Sequence, residues 1–167
     1  MEAVPTDATL RALAESVGEM LRERRQALAT GESCTGGWIA KLLTDIAGSS
    51  GWFEGAAITY SNDAKQALLG VAPGTLRRHG AVSRQTAVEM VSGVVTGFGA
   101  SVAVAVTGIA GPGGGTRDKP VGTVWIAWQR RGGEARAEEF HFAGDRDAVR
   151  RRTVAAALRG IERILVS

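Results

Sequence analysis

At 167 residues, with 44% hydrophobic and 22% charged side chains, the chain has the length of one domain, taken as 1–167, and enough apolar content to bury a core. No apolar run reaches the roughly 18 residues of a membrane span, and Glu2 and Asp7 stand where a secretory signal would be basic and then apolar, so the expectation is a cytoplasmic protein with no membrane partner. One cysteine excludes an internal disulfide framework, two histidines argue against an intrinsic zinc site, and a net charge of +3 carried by scattered arginines with 5% aromatics argues against nucleic acid.

Residues 7–24 place Leu10, Leu13, Ala14, Val17, Met20 and Leu21 at helical spacing. A short strand over 26–30 follows, then the stretch Gly31-Glu32-Ser33-Cys34-Thr35-Gly36-Gly37, then a helix over 38–46. Residues 53–60 read as a buried strand. Ser61, Asn62 and Asp63 offer caps for a short helix over 64–69, and 73–79 reads as a helical turn. The helix over 84–97 contains Gly93 and Gly97, poor helix formers that point to close packing. Residues 101–106 alternate small and β-branched side chains, the pattern of a strand covered on both faces. Residues 108–120 form a glycine-rich loop. Strands over 121–129 and 135–142 flank the hairpin signal Arg131-Gly132-Gly133-Glu134, and a last helix over 145–166 carries Arg150, Arg151 and Arg152. This order predicts a three-layer α/β/α sandwich on a mixed, mainly parallel sheet with one antiparallel strand.

In such a sheet, ligands bind beyond the carboxyl ends of the strands. The turn at 31–37 lies there and brings a hydroxyl, a thiol and a carboxylate to that edge. Ser33 is the candidate nucleophile if a base takes its proton, and backbone N–H groups of Thr35, Gly36 and Gly37 are candidate oxyanion donors. Capping of the following helix by Ser33 or Thr35 is the competing role. Cys34 is a rival nucleophile or a small buried hydrophobe. For the base, His79 and His141 are available, but neither falls on the Ser33 edge. Lys65 does, in the turn after Tyr60. It is one of three lysines (Lys41, Lys65, Lys119) against seventeen arginines, and only lysine of the two can shed its proton and act as a base. The competing role is a solvated helix lysine. The loop from Gly108 to Thr116 can bring backbone N–H groups close to an anion, although neither a P-loop nor a dinucleotide fingerprint is present. Thr107 ends a strand at the same edge. Arg146 opens the last helix, where it can hold a phosphate beside the capping candidate Asp145.

Several stretches, in order, resemble the CinA C-terminal domain family, the nicotinamide-nucleotide amidohydrolases or NMN deamidases. They are Glu32 to Gly37, Tyr60-Ser61-Asn62 with Lys65, Leu69-Gly70-Val71, Gly80 to Ser83, Thr86-Ala87 with Glu89-Met90, Thr107 to Gly115, Lys119 to Thr123, and Phe142 to Arg146. They span nearly the whole chain. Longer CinA proteins carry a molybdopterin-binding-like domain ahead of this one, so the chain looks like the stand-alone form. The resemblance implies a five-stranded α/β/α sandwich that hydrolyses the carboxamide of nicotinamide mononucleotide to nicotinate mononucleotide and ammonia, in pyridine nucleotide recycling. It implies Ser33 as nucleophile and Lys65 as general base, with Tyr60 and Thr107 assisting, and neither metal nor organic cofactor. The expected partner is a small molecule, a pyridine mononucleotide, and a homodimer is compatible with the family.

For the phosphate, the expected ligands are the glycine loop (Gly111, Gly113, Gly114) and Arg146. The helix start at 36–37 is the alternative anion site, in which case other donors serve the oxyanion. The rival function is a non-catalytic nucleotide-binding module, regulatory or associated with competence and damage.

Overall fold

The computed structural model describes residues 2–167; Met1, on which the expected domain range opens, lies outside the described residues. Among the described residues the chain runs α1 (Asp7–Glu23), β1 (Leu28–Glu32), α2 (Trp38–Thr44), a 3₁₀ turn (Ser49–Gly51), β2 (Phe53–Ile58), α3 (Asn62–Leu69), α4 (Pro73–His79), α5 (Arg84–Phe98), β3 (Val102–Gly108), β4 (Thr123–Arg130), β5 (Arg136–His141) and α6 (Arg146–Val166). The strands form one sheet in the order β2-β1-β3-β4-β5. β1 is parallel to both β2 and β3, and β4 is antiparallel to β3 and β5. Four strands therefore point one way and β4 alone runs against them, as the element order predicts.

The three layers follow from alternation along the central strands. Val102, Val104 and Val106 of β3, with Val124, Ile126 and Trp128 of β4, face one side and pack with side chains of α1, α2 and α6. Ala103, Ala105 and Ala127 face the other side, with Ala87, Met90, Val91 and Val94 of α5. Alanines on that face let α5 lie close to the sheet. Gly31 serves the same approach, because a Cβ there would sit 2.7 Å from Val94 Cγ2.

Several details depart from the sequence expectations. The first strand lies two residues later than expected, over Leu28–Glu32, because parallel ladders to β2 and β3 on both sides carry it that far. Ser33 consequently follows the strand directly. Residues 73–79 are a full helix, begun by Pro73 and ending on Arg77, Arg78 and His79, where positive charge suits the carboxyl end. The strand read as buried, β2, is the sheet edge and is only half-buried, with Ile58 and Tyr60 exposed. Gly93 marks a close approach, for a Cβ there would run into the Leu69 carbonyl, whereas Gly97 has open space around it.

The two glycines of α5 should therefore respond with opposite signs. Gly93→Ala is expected to lose about 1–3 kcal/mol through overpacking. Gly97→Ala is expected to gain up to about 1 kcal/mol from helix propensity. Urea denaturation of both variants against wild type checks the contrast.

Candidate active site

The carboxyl ends of β1, β2 and β3 converge on a cleft of about 270 Å³, lined among others by Ser33, Cys34, Tyr60, Lys65, Thr107, Gly111, Gly113, Gly114 and Arg146. That is near the lower bound for small-molecule sites, ~300 Å³. A larger cleft of about 370 Å³ lies between α6, β5 and the amino-terminal residues. It holds the ion pairs Arg159–Glu2 and Arg163–Glu138 and neither serine nor lysine, so size does not identify the reactive site here.

Ser33 sits where the ladder ends. Its N–H donates to Val106 O (3.1 Å), and the Glu32 carbonyl beside it accepts from Thr59 N–H (2.8 Å). Lys65 comes from the first turns of α3, whose cap Ser61 accepts from Ala64 N–H. From there its side chain runs back under the strand ends and is only 1% exposed. Its Nζ lies 3.0 Å from Ser33 Oγ, 2.8 Å from Thr59 O and 3.4 Å from Tyr60 O. Two carbonyls thus take two of the amine hydrogens and leave the third direction for Ser33. In the neutral amine that direction holds the lone pair.

Burial lowers the Lys65 pKa from its ordinary value of 10.5, and only a negative charge on Cys34 would oppose this. Burial pushes the Cys34 thiol up to about 12, so at neutral pH Cys34 carries no charge and the lowering stands. The amino end of α3 is a further reason, since the helix dipole disfavours a cation there. Burial of the thiol, which raises its pKa, agrees with a packing role for Cys34.

Glu32 shapes the rest of the turn. Its carboxylate is fully buried and accepts from Thr30 Oγ1 (3.2 Å), Thr35 Oγ1 (2.7 Å), Ile39 N–H (2.9 Å) and Ala40 N–H (3.0 Å). This corrects two expectations. Neither Ser33 nor Thr35 caps α2; the cap position is Gly37, with no side-chain cap, and Glu32 reaches over from the strand to satisfy the helix start. The helix start at 36–37 is also largely satisfied from within the chain. Gly36 N–H donates to Ser33 O, Trp38 N–H to Thr35 O, and the next two N–H groups to Glu32. Thr35, Gly36 and Gly37 stand outside the cleft lining. Gly36 and Gly37 answer to the backbone instead, at φ 59° and 97°, a pair of left-handed residues that turns the chain from β1 into α2.

The other expected site residues gather at the rim. Arg146 donates to Gly111 O (2.7 Å) and to the Tyr60 hydroxyl (3.0 Å), joining α6, the glycine loop and the end of β2. Tyr60 is 61% exposed and paired with Arg146. Thr107 is buried and donates its hydroxyl to Ala81 O (2.8 Å), holding the 80–82 segment against the cleft. The glycine loop is closed at its base by Ile109 N–H to Thr123 O and Gly122 N–H to Ile109 O. Among the described residues the lining carries the Arg146 guanidinium and no carboxylate, which suits an anionic ligand at that end, and no cluster of His, Cys, Asp or Glu could hold a metal ion. His79 and His141 are exposed and stand outside the cleft lining, His141 beside Glu139.

The family model of the CinA C-terminal domain matches residues 10–165. The chain belongs to the CinA C-terminal domain family. Among its relatives, the nicotinamide-nucleotide amidohydrolase PncC of Escherichia coli K12 is 52% identical over 153 residues, covering 92% of this chain and 93% of that protein. A CinA-like protein of Akkermansia muciniphila is 53% identical over 133 residues, which is 80% of this chain but 32% of the relative. The crystal structure of the competence/damage inducible protein CihA from Agrobacterium tumefaciens superposes with a TM-score of 0.92 at 43% identity, covering 100% of both chains. Among the described residues, no helix of this CinA-family chain is long and apolar enough to cross a membrane.

Sequence reasoning gave Glu32 no role and left Arg150 as one of several helix arginines. Arg150 donates from Nε to Cys34 O and from Nη2 to Thr35 O, each at 3.1 Å. A carboxylate directly before a glycine-rich helix start was the one signal for Glu32, and it does not tell whether the carboxylate reaches that start. Nothing local distinguished Arg150 from Arg151 and Arg152.

Lys65 ties stability to pH. Its pKa is lower folded than unfolded, so between the two values the unfolded chain binds more protons and wild-type stability rises with pH. The difference in unfolding free energy between wild type and Lys65→Met should move in favour of wild type as pH climbs toward 10.5, and level off above it. Urea denaturation of both proteins across pH checks this. A difference that is flat with pH would mean Lys65 titrates normally.

Proposed function

We propose that this chain is a nicotinamide-nucleotide amidohydrolase that converts nicotinamide mononucleotide to nicotinate mononucleotide and ammonia through a Ser33–Lys65 pair. The observation that carries the reading is a buried lysine amine 3.0 Å from a serine hydroxyl in an anion-suited cleft, in a chain 52% identical to an enzyme of that name. Neutral Lys65 takes the Ser33 proton as Oγ attacks the carboxamide carbon. The C–N bond of the tetrahedral adduct breaks, and protonated Lys65 gives its proton to the departing ammonia. Water, deprotonated by Lys65, then attacks the acyl-enzyme. Ser33 leaves with a proton, and nicotinate mononucleotide is released.

The positive pyridinium ring of the substrate withdraws electrons from the carboxamide and opposes a charge on Lys65. Arg146 and the loop at Gly111, Gly113 and Gly114 hold the 5′-phosphate, and the Tyr60 hydroxyl orients Arg146. Since Gly36 N–H is turned to Ser33 O, the oxyanion falls to N–H groups on the cleft wall at Cys34 and the glycine loop. Pyridine nucleotide recycling and a cytoplasmic setting complete the reading.

Ammonia release from nicotinamide mononucleotide tests it. Ser33→Ala and Lys65→Ala should each lose about 10³-fold or more in kcat/KM, because nucleophile and base act as a unit. Lys65→Arg should not rescue, as a guanidinium holds its proton. Cys34→Ala should stay within a few-fold of wild type. Tight nucleotide binding without ammonia release would replace the enzyme by a binding module, and an inactive, folded Cys34→Ala would transfer the nucleophile to the thiol.

A further inference from the structure

Three arginines in succession, Arg150 to Arg152, lie on α6, and they do different things. Arg151 pairs with Asp7 and Asp147, and Arg152 donates to Glu2 O, both away from the cleft. Arg150 reaches the turn that carries Ser33. Its guanidinium lies over the Trp38 ring, 5.1 Å from the centroid, a ring it shares with Arg151 at 5.2 Å. Its Nε donates to Cys34 O and its Nη2 to Thr35 O.

We infer that Arg150 is a positioning residue for the nucleophile: its two-pronged hold on the Cys34 and Thr35 carbonyls fixes the turn in the geometry that aims Ser33 Oγ at Lys65. This inference rests on the serine–lysine reading above. Ser33 is anchored on its amino side by Val106 and through its own carbonyl by Gly36 N–H, and Thr35 O also receives Trp38 N–H. The Cys34 carbonyl has Arg150 as its sole hydrogen-bond donor among the described residues. Without it, the peptide between Cys34 and Thr35 is free to rotate directly after the nucleophile. Glu32 holds the far side of the same turn through Thr35 Oγ1 and the start of α2, so carboxylate and guanidinium grip it from opposite chemistries, one accepting and one donating.

The charge adds to the grip. The guanidinium is close enough to pull the Cys34 thiol down against the larger effect of burial. A cation so placed favours the negative charge that develops one residue earlier when Ser33 attacks. Arg146, one helical turn before Arg150, touches the cleft rim at Tyr60 and Gly111. One face of α6 therefore serves both the nucleophile turn and the anion end of the cleft. The fork explains why arginine stands here, since a lysine ammonium cannot bond both carbonyls in one plane.

The test compares wild type, Arg150→Met and Arg150→Lys by two readouts and a thermal unfolding control. The first readout is steady-state ammonia release from nicotinamide mononucleotide. The second is the rate at which a fluorophosphonate labels Ser33, a step in which the Oγ–P bond forms, fluoride leaves and the serine proton passes to Lys65. Both variants are expected to lose about tenfold or more in kcat and in labelling rate, with KM changed by less than about threefold, because a misplaced reacting group costs the chemical step and not binding. Unchanged kcat and labelling in either folded variant would overturn the inference. So would a rise in KM alone, which would put Arg150 on the substrate. Should Arg150→Met fail to fold, Arg150→Lys keeps the charge and the stem and decides the matter. A wild type that labels at Ser33 yet releases no ammonia would remove the proposed substrate, and the labelling rates of the variants would still decide the role of Arg150.

Discussion

A lysine with almost no solvent exposure must find acceptors, lose its proton, or both. Lys65 is placed so that either state is tolerated: Thr59 O and Tyr60 O accept two hydrogens, and Ser33 Oγ faces the remaining direction. Much of the architecture makes that placement possible. β1 must end at Glu32 so that Ser33 is the first residue past the sheet. β2 must end early enough for the chain to turn at Ser61 and send α3 back under the strand ends. β3 must hold the Ser33 N–H through Val106.

Two buried residues of chargeable type lie beside Ser33, Glu32 next to it in sequence and Lys65 next to it in space, and they are handled in opposite ways. Glu32 is surrounded by donors, two hydroxyls and two helix N–H groups. Those donors satisfy its buried oxygens, and it holds the turn to α2. Lys65 is given carbonyls and a hydroxyl but no carboxylate partner among the described residues, so burial works against its charge. A folded chain ordinarily pairs a buried lysine. Leaving this one without an anion is what suits it to take a proton.

The layer order and the direction of every strand were legible because alternation in 101–106 and 121–129 is strong and the hairpin signal at 131–134 is local. Ser33, Tyr60, Lys65, Thr107 and Arg146 were legible as one site because all fall at or beyond the carboxyl ends of strands or at a helix start, where topology brings them together. The roles of Thr35, Gly36 and Gly37 were not. An unpaired helix start and one occupied by Glu32 look the same in sequence, since the carboxylate reaches in from the strand before the turn. The edge position of β2 was hidden by its apolar composition. Arg150 was hidden because its partners are backbone carbonyls 115 and 116 residues away, and carbonyls leave no residue-type signature.

The claim on which the rest stands is that Lys65 gives up its proton more readily than an ordinary lysine. Because the chain has only three lysines, Lys41, Lys65 and Lys119, an NMR titration of protein labelled with ¹³C at lysine Cε resolves each one, with Lys65→Met assigning the signal. The account predicts that one signal, absent from the variant, titrates below the ordinary 10.5. A Lys65 signal that titrates at or above 10.5 would contradict it.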